Sequence, residues 1–333
     1  MKTDALMRAV LVDRFGADAP ARLGWSPVPE PGPGQVRVRV AYASVNPADW
    51  KCQTGWMLRF EQFQPSLPFG LGFDGAGVID AVGEQVADRE VGDRVFLRVN
   101  QMAGQHGSFA EHACVAASDT APVPAGLNLL AAATVPVAGV TAWQMVTKYA
   151  TVSKGQRVLV NGGAGGVGSY AIQFAVAAGA RVAATSGPAN LGYLSDLGCE
   201  RAVDYRSENL RAAMADWAPD GVDTIIDTVN TAGVDDALAI VRPGGAIVGV
   251  VTLGARPPYP GAELGARGVR FVDATVRRDE ASADMAIIGG LLADRTVSPP
   301  AIELLPMADA PAALDRVRAG HVRGKLVLEI ARS

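Results

Sequence analysis

The sequence predicts an α/β protein in which a β-rich part is joined to a doubly wound parallel sheet. Short alternating segments bounded by glycine turns fill the first third of the chain, and strands alternate with helices from about Leu129 onward. The length of 333 residues corresponds to about two domains. Because 49% of the residues are hydrophobic and 19% are charged, the composition supplies buried cores and excludes a disordered chain.

The β-rich part is predicted from period-two alternation. Val36, Val38 and Val40 alternate with Arg37 and Arg39, which is typical of a half-buried strand. A second strand is predicted at 94–97, directly after a Gly-Asp turn. Short strands separated by recurring glycine turns indicate a compact antiparallel barrel or sandwich.

The second part is predicted from apolar runs that end in turn residues. Its strands are expected at 157–160, 181–185, 201–205, 222–227, 246–251 and 269–276, the fifth of them after a Gly244-Gly245 turn. A helix is predicted over 169–178, with Gly179 ending it, and Ser207 is the predicted N-cap of a later helix. The C-terminal segment carries a helix near 310–318 and a strand at 325–330 that is expected to return to the first domain.

Charge and cysteine content exclude several classes of protein. The net charge of −4, from 5 Lys, 25 Arg and 34 acidic residues, excludes a strongly basic nucleic-acid binder. The cysteines Cys52, Cys114 and Cys199 form neither a disulfide framework nor a zinc-type pair, which favours a reducing compartment. Segment 1–14 lacks the apolar core of a secretory signal, and the apolar stretch 127–143 is interrupted by polar and breaker residues. We expect a cytoplasmic protein without a membrane span.

A glycine-rich loop follows the strand at 157–160 and opens the next helix. Glycine permits the tight turn and the close approach of backbone to a pyrophosphate, while the helix N-terminus offers N–H groups and partial positive charge. This context predicts a Rossmann-type dinucleotide site. The predicted phosphate-binding residues are Gly163, Ala164, Gly165, Gly166, Val167 and Gly168.

The end of the second strand of this part indicates which dinucleotide binds. A site that prefers NAD places an acidic residue there to hold the ribose hydroxyl, but here Thr185 and Ser186 follow Ala184, and the next acid is Asp196. Small hydroxyls donate to a 2′-phosphate, whereas a carboxylate repels it, so NADPH is the predicted cofactor. Because this loop contains no cation, one must come from elsewhere. The candidates are Arg206, Arg323 and Lys325.

Several motifs together resemble the medium-chain dehydrogenase/reductase superfamily. They are Gly72-x-Asp74-x-x-Gly77 with Gly83, Gly92-Asp93-Arg94-Val95, Gly107-Ser108-Phe109-Ala110-Glu111-His112, Gly139-Val140-Thr141-Ala142-Trp143, the glycine loop and Gly324-Lys325-Leu326-Val327-Leu328. Val45-Asn46-Pro47-Ala48-Asp49, with the Gly-Gly-Val-Gly of the loop, is similar to the zinc-free quinone oxidoreductase (zeta-crystallin-like) branch. The resemblance implies a discontinuous GroES-like catalytic domain (1–128 and 279–333) around a Rossmann domain (129–278).

The residues argue against a catalytic metal. Zinc-dependent alcohol dehydrogenases of this superfamily carry Cys where this chain has Asn46, and His-Glu where it has Phe73-Asp74. Catalytic zinc needs about three such ligands. The segment 100–112 lacks the cysteines of the structural zinc site, and His106 and His112 are interpreted as ordinary surface or hydrogen-bonded residues.

Candidate catalytic residues come from the same resemblance. It places Asn46 beside the nicotinamide, where the side chain would orient the carboxamide or the substrate, although Asn46-Pro47 with Asp49 is also a good helix N-terminus. Tyr42 is a candidate hydrogen-bond donor to a carbonyl, with packing as the alternative. Thr141 resembles the residue that packs near the nicotinamide. Trp50, Trp56 and Phe60 either line an apolar cleft or simply pack.

Further cofactor contacts are expected at the strand ends. Tyr205 looks like the family tyrosine near the adenosine ribose phosphate, and Asn190 stands where many relatives have a phosphate-binding Lys. The carboxyl ends of parallel strands bind ligands in α/β sheets. This rule adds Val229, Gly249, Val250 and Val251 to the expected cofactor site.

The predicted chemistry depends on the cofactor, since the sequence shows no zinc set, no catalytic triad and no evident buried acid. We expect hydride transfer from NADPH to a quinone or an α,β-unsaturated carbonyl. Two alternatives stay open. One is an enoyl-thioester reductase, although Trp56-Met57 stand where such relatives have Tyr, and the other is a non-catalytic NADPH-binding structural or regulatory protein. A homodimer joined through the edge of the Rossmann sheet is expected.

Overall fold

The computed structural model describes residues 5–229, 234, 236–250 and 259–331. Within these residues the strands alternate with helices only in the second part of the chain. The strands are β1 Leu6–Val12, β2 Ala21–Pro27, β3 Gln35–Ser44, β4 Phe69–Gly70, β5 Asp74–Val82, β6 Arg94–Arg98, β7 His112–Ala116, β8 Thr120–Pro122, β9 Arg157–Asn161, β10 Arg181–Ser186, β11 Arg201–Asp204, β12 Val222–Asp227, β13 Val241–Val250, β14 Arg270–Ala274, β15 Ile302–Pro306 and β16 Lys325–Glu329.

The helices connect these strands or cover the sheets. They are α1 Pro47–Gln53, α2 Leu129–Ala132, α3 Val140–Gln144, α4 Gly166–Ala177, α5 Leu191–Asp196, α6 Leu210–Trp217, α7 Ala237–Ile240, α8 Gly261–Ala266, α9 Ala281–Ala293 and α10 Ala310–Ala319. Two π-helical turns, Val135–Gly139 and Met145–Tyr149, flank α3. In the described part of the chain, no helix is long and apolar enough to cross a membrane.

The chain forms two compact units. The first combines Met1–Val137, Arg278–Asp294 and Ala301–Ser333, and the second combines Ala138–Arg277 with Arg295–Pro300. These divisions lie at 137/138 and 277/278, whereas the sequence places the domain boundaries at 128/129 and 278/279. We call the first the barrel unit and the second the nucleotide unit.

The barrel unit contains the predicted antiparallel β structure. Its larger sheet has the order β15-β16-β3-β5-β6-β8, with β7 also paired to β3, and a smaller sheet has the order β2-β1-β4. The alternating valines Val36, Val38 and Val40 are fully buried on β3, as the pattern predicts. The last strand returns to this unit, because β16 pairs antiparallel with β3 at Val327 and Ser44.

The nucleotide unit is a doubly wound parallel sheet. Its strand order is β11-β10-β9-β12-β13-β14, and every described pairing in it is parallel. The chain order reverses between β9 and β12, and such a switch point opens a crevice at the carboxyl ends of the strands. The glycine loop leaves β9 at this position. The hydrophobic core of the nucleotide unit includes the fully buried Leu159, Val203, Ile225 and Ile247.

Apart from shifted element bounds, a predicted turn and a predicted helix cap differ from the structure. β13 begins at Val241, so the predicted Gly244-Gly245 turn lies inside the strand, where its pairing with β12 is irregular. The N-cap of α6 is Asn209, which accepts from the N–H of Ala212 through its side chain, and not Ser207. The Ser207 hydroxyl instead donates to Asp204 Oδ2. Both Asn and Ser suit an N-cap, so the choice depended on where the helix begins.

Candidate nucleotide site and buried polar cluster

The glycine loop has the geometry of an anion site. Gly162 has φ +78°, which favours glycine, and Gly165 is the N-cap of α4. A Cβ on Gly168 would lie 2.3 Å from the carbonyl oxygen of Gly162, so the loop and the first turn of the helix approach as only glycine allows. The N–H groups of this first turn have no partners within the helix and carry the positive end of its dipole. They are the groups that hold phosphate at such helix ends.

The predicted loop residues differ in what surrounds them. Gly163 packs so closely that an added Cβ would lie 2.9 Å from Ala184 Cβ and 2.9 Å from Ile172 Cδ1. At Gly165 an added Cβ would meet only the carbonyl oxygen of Gly162, at 3.6 Å. Gly163 therefore serves packing inside the unit, whereas the Cα of Gly165 faces open space. The remaining predicted residues, Ala164, Gly166, Val167 and Gly168, complete the turn into α4.

The hydroxyl of Thr185 does not serve as predicted. Thr185 is 2% exposed, its Oγ1 donates to Asn161 Oδ1 at 2.7 Å, and it accepts from the N–H of Gly162. Its hydrogen is therefore committed inside the protein, which corrects its assignment as a donor to the 2′-phosphate. Ser186 is also buried, and its hydroxyl donates to the carbonyl oxygen of Gly187.

Of the predicted cations, Arg206 lies beside the end of β10. A Cβ on Gly187 would lie 3.7 Å from Arg206 Nε, and Arg206 is exposed. Its Nε donates to the hydroxyl of the exposed Tyr205 at 3.4 Å. The two predicted side chains are thus together at the site where the ribose is expected. Asn190 ends the short 3₁₀ turn that follows β10 and is half-buried.

Of the remaining residues predicted at strand ends, three lie within the described part of the chain and one lies outside it. Val229 is 64% exposed and lies against the loop, since a Cβ on Gly162 would come within 2.5 Å of Val229 Cγ2. Gly249 and Val250 end β13, and Gly249 pairs with Asp227 of β12. Val251 lies outside the described residues.

Lys325 is not the phosphate-binding cation that the sequence suggests. It is 5% exposed in the barrel unit, and its Nζ donates to Asn46 Oδ1 at 2.6 Å and to the carbonyl oxygen of Val45 at 2.8 Å. An ammonium committed in this way cannot meet a phosphate. Arg323, two residues earlier, is exposed in the same unit.

Lys325 belongs to a buried polar cluster in the barrel unit. Asn46 Nδ2 donates to Asp74 Oδ1 at 2.8 Å and to the carbonyl oxygen of Ser44 at 3.0 Å. Asp74 also accepts from the Ser44 hydroxyl and from the N–H of Val137. The Asn46 amide thus connects a carboxylate at one end with an ammonium at the other.

Asp49 adds a second carboxyl to this cluster. Its Oδ2 accepts from the N–H of Asn46 at 2.6 Å, at the start of α1, as expected for an acid in the first helical turn. Its Oδ1 is buried, and no hydrogen-bond partner for it is found among the described residues. Asp49 and Asp74 are both fully buried, so the structure contains buried acids that were not evident in the sequence.

Burial controls the protonation of this cluster. Loss of solvent raises the pKa of Asp49 well above its ordinary value, and the neighbouring Asp74 carboxylate raises it further. Burial likewise raises the pKa of Asp74, and it lowers the pKa of Lys325. Two carboxyls facing one ammonium hold a proton more readily than solvent-exposed carboxyls do, because a net negative charge is costly in the interior.

The predicted catalytic residues have different surroundings. Both amide hydrogens of Asn46 are committed to Asp74 and Ser44, so its side chain is left with acceptor capacity on Oδ1 alone. Tyr42 is half-buried on β3, opposite Ala76 and Glu329 of the neighbouring strands. Thr141 is half-buried on α3 in the nucleotide unit.

The aromatic residues that follow α1 pack on the barrel core. Trp50, Trp56 and Phe60 are partly buried against it, and Trp56 and Phe60 make an edge-to-face contact with centroids 5.3 Å apart. Arg59 lies over the Trp56 ring at 4.4 Å. The three aromatic side chains Trp50, Trp56 and Phe60 therefore pack on the core, which was one of the two alternatives for them.

Sequence reasoning missed four functional candidates. They are Asp49, Asp74, Asn161 and Asp227. Asp74 and Asp49 were available as acids within recognised motifs, but nothing local indicated that both are buried together. Asn161 and Asp227 end neighbouring parallel strands, and this shared position at one sheet edge was the signal that could have found them.

Both parts of the chain match known protein families. Residues 32–125 match the family described as alcohol dehydrogenase GroES-like domain, and residues 166–288 match the family described as zinc-binding dehydrogenase. The chain is 37% identical over 239 residues to 2-methylene-furan-3-one reductase of Solanum lycopersicum, covering 70% of this chain and 56% of that protein. It is 35% identical over 251 residues to the NADPH-dependent alkenal/one oxidoreductase of Arabidopsis thaliana, covering 74% and 60%. The chain thus spans little more than half the length of these curated relatives.

Solved structures match over nearly the whole chain. A protein of the alcohol dehydrogenase superfamily from Novosphingobium aromaticivorans superposes with a TM-score of 0.86 at 30% identity, covering 98% of this chain and all of that one. The quinone oxidoreductase from Coxiella burnetii superposes with a TM-score of 0.85 at 28% identity, again covering 98% and 100%.

The residues do not fit the zinc ion named in one family description. Asn46 offers an amide oxygen that already accepts from the Lys325 ammonium, and Phe73 offers no ligand atom. No group of three potential His, Cys, Asp or Glu ligands occurs among the described residues. His106 Nδ1 accepts from the N–H of Gly70, as interpreted, and His112 Nδ1 lies 2.9 Å from the Asp80 carboxyl. A cationic ammonium beside the amide oxygen is chemically opposed to a metal there.

Proposed function

Because the chain belongs to the medium-chain dehydrogenase/reductase superfamily, in a quinone-oxidoreductase-like branch, we propose that it is an NADPH-dependent reductase. Its acceptor would be a quinone or an α,β-unsaturated carbonyl. When bound, NADPH supplies the hydride. The proposal draws support from relatives whose names specify alkenal/one and quinone reduction.

The residues at the end of β10 support NADPH, and not NADH, as the cofactor. No acidic residue occurs between the end of this strand and Asp196, and the exposed guanidinium of Arg206 lies beside Gly187. A guanidinium favours the 2′-phosphate through charge-assisted hydrogen bonds, whereas an acid there would favour NADH. Arg206 with Tyr205 is the proposed 2′-phosphate contact, and Asn190 and Arg323 stay proposed contacts from the sequence. The Ser186 hydroxyl, like that of Thr185, already donates inside the protein, so Ser186 is not proposed as a donor to the phosphate.

The glycine loop would hold the pyrophosphate. The first-turn N–H groups of α4 bind it, and Gly165 keeps the approach open. Val229, Gly249 and Val250 are the proposed wall of the crevice at the strand ends. In the barrel unit, Asn46 would act through Oδ1 as an acceptor, and Tyr42 is a proposed contact of the reacting groups. Thr141, in the nucleotide unit, is a further proposed contact.

The reductase activity is tested by NADPH oxidation, followed at its absorbance band, with a panel of acceptors. The panel holds a simple quinone, an alkenal, a cyclic enone and an enoyl thioester. Turnover of a quinone or enone is expected, with NADPH preferred over NADH. Preference for the enoyl thioester would favour the alternative reductase, and tight NADPH binding without any turnover would contradict an enzyme.

We also propose a homodimer joined through β14. Among the described residues this strand ends the six-stranded sheet, and the outer edge of a sheet is where a second copy can add its own strand. Light scattering should give twice the mass of one chain. A monomer over the working range of concentration would contradict this.

A further inference from the structure

Three side chains form a hydrogen-bonded line beneath the glycine loop. Asn161 ends β9, Thr185 lies next to the end of β10, and Asp227 ends β12. These strands are neighbours, and Asp227 pairs directly with Asn161. Thr185 and Asp227 are 2% and 4% exposed and Asn161 is half-buried between them, at the switch point of the sheet.

The hydrogen bonds of this line run in one direction. The N–H of Gly162 donates to Thr185 Oγ1 at 3.0 Å, and Thr185 Oγ1 donates to Asn161 Oδ1 at 2.7 Å. Asn161 Nδ2 then donates to Asp227 Oδ1 at 2.9 Å. A backbone N–H only donates, and Asp227 Oδ1 accepts from Asn161 Nδ2, so the two ends determine the orientation of the amide and of the hydroxyl.

This line is hydrogen-bonded to the first half of the glycine loop. Gly162 is held through its N–H by Thr185, and the N–H of Gly163 donates to the carbonyl oxygen of Thr185 at 2.9 Å. The carbonyl oxygen of Gly162 in turn lies so close to Gly168 that a Cβ there would be 2.3 Å away. A shift of Gly162 would therefore displace the first turn of α4, whose N–H groups face the proposed pyrophosphate.

We propose that Asn161 is a positioning residue for the dinucleotide, acting through Thr185 and Gly162 on the N–H groups at the start of α4. The inference rests on the proposed cofactor site. An amide is required at this position because one end must accept from a hydroxyl while the other donates to a carboxylate. Neither a carboxylate nor an aliphatic side chain of similar size does both.

The diagnostic variant is Asn161→Asp. The new carboxyl keeps an acceptor for Thr185 but faces Asp227 with like charge, so the pair binds a proton only as the pH falls. A protonated carboxyl again donates to Asp227. Near pH 8.5 the variant should bind NADPH more weakly than wild type by about tenfold or more. The ratio of the NADPH dissociation constant of the variant to that of wild type should approach one toward about pH 6.

Nicotinamide fluorescence titrations at each pH give these constants. Asn209→Asp is the matched control, because it adds the same charge at an N-cap where Asp is equally suited. Its ratio to wild type should stay near one throughout. A ratio for Asn161→Asp that does not change with pH would overturn the inference, whereas failure of wild type to bind NADPH would instead overturn the proposed function.

Thr185 supplies a second test that does not depend on Asn161→Asp folding. Thr185→Val removes the hydroxyl that connects Asn161 with Gly162, and Thr185→Ser restores it. NADPH binding should weaken about tenfold in Thr185→Val and be recovered in Thr185→Ser. Equal NADPH affinity of Thr185→Val and wild type would overturn the inference.

Discussion

Lys325 Nζ donates a 2.6 Å hydrogen bond to Asn46 Oδ1, although the two residues are 279 positions apart in the chain. The bond joins the last strand of the barrel unit to the start of α1. It also places a cation within a cluster that contains the buried carboxyls of Asp49 and Asp74. The charged side chains that offset one another inside the barrel unit therefore come from segments far apart in the sequence.

The buried cluster predicts a pH dependence of stability that Asp49→Asn should reduce. The raised pKa of Asp49 means that the folded state keeps a proton that the unfolded state releases above about pH 4. The contribution of Asp49 to the free energy of unfolding is therefore fully present at low pH. It is lost as the pH rises toward the pKa of Asp49 in the folded state, by up to about 1.4 kcal/mol per pH unit.

Urea denaturation of wild type and Asp49→Asn at several pH values between about 5 and 8 measures this difference. The variant should show the smaller loss of unfolding free energy with rising pH. Asp220→Asn, at an exposed turn, is the control and should follow wild type. Identical slopes for Asp49→Asn and wild type would show that Asp49 is ionised in the folded protein.

Gly165→Asp should abolish NADPH binding while the protein stays folded. The φ of Gly165 is −77° and an added Cβ meets only one atom within 4 Å, so the backbone tolerates a side chain. The carboxylate would oppose the pyrophosphate by about 4 kcal/mol at an effective dielectric constant near 20, which weakens binding by roughly three orders of magnitude.

Two measurements separate folding from binding in this case. The melting temperature without cofactor should stay close to that of wild type for both Gly165→Asp and the uncharged control Gly165→Ala. NADPH titration should show the large loss for the charged variant only. Normal NADPH affinity in a folded Gly165→Asp protein would place the cofactor site elsewhere.

Arg206→Leu should reduce the preference for NADPH. Loss of a charge-assisted contact of about 1.5–3 kcal/mol weakens NADPH binding by roughly ten- to a hundredfold and leaves NADH affinity nearly unchanged. Paired titrations with the two cofactors give the ratio. Arg211→Leu, an exposed arginine on α6, is the control for loss of one positive charge. A parallel loss for both cofactors would mean that Arg206 does not meet the 2′-phosphate.

Asn209→Ala should destabilise the protein through the cap of α6. The Asn209 side chain accepts from the N–H of Ala212 at 2.9 Å, and loss of such a cap costs about 1 kcal/mol. Ser207→Ala is the matched comparison, since its hydroxyl contacts Asp204 and caps nothing. Chemical denaturation should show the larger loss for Asn209→Ala, and the reverse order would restore Ser207 as the cap.

The sequence by itself determined the architecture and the class of cofactor site. The valines of β3 showed the buried face of a strand, and the loop from Gly162 to Gly168 indicated a strand-to-helix turn of the kind that can bind phosphate. The lack of an acidic residue soon after Thr185 predicts NADPH, and not NADH, as the cofactor. These features are local, because periodicity, turn geometry and the space at a glycine depend on a few consecutive residues.

Only the tertiary structure decided what the polar side chains do. Lys325 looked like a phosphate ligand but is buried against Asn46, and Thr185 donates to Asn161 instead of facing the ribose. Asp49 and Asp74 look like ordinary acids in the sequence, yet burial together changes their pKa values. The hydrogen-bond partner and the burial of a polar group are set by segments far away in the chain, and a local pattern of residues contains neither.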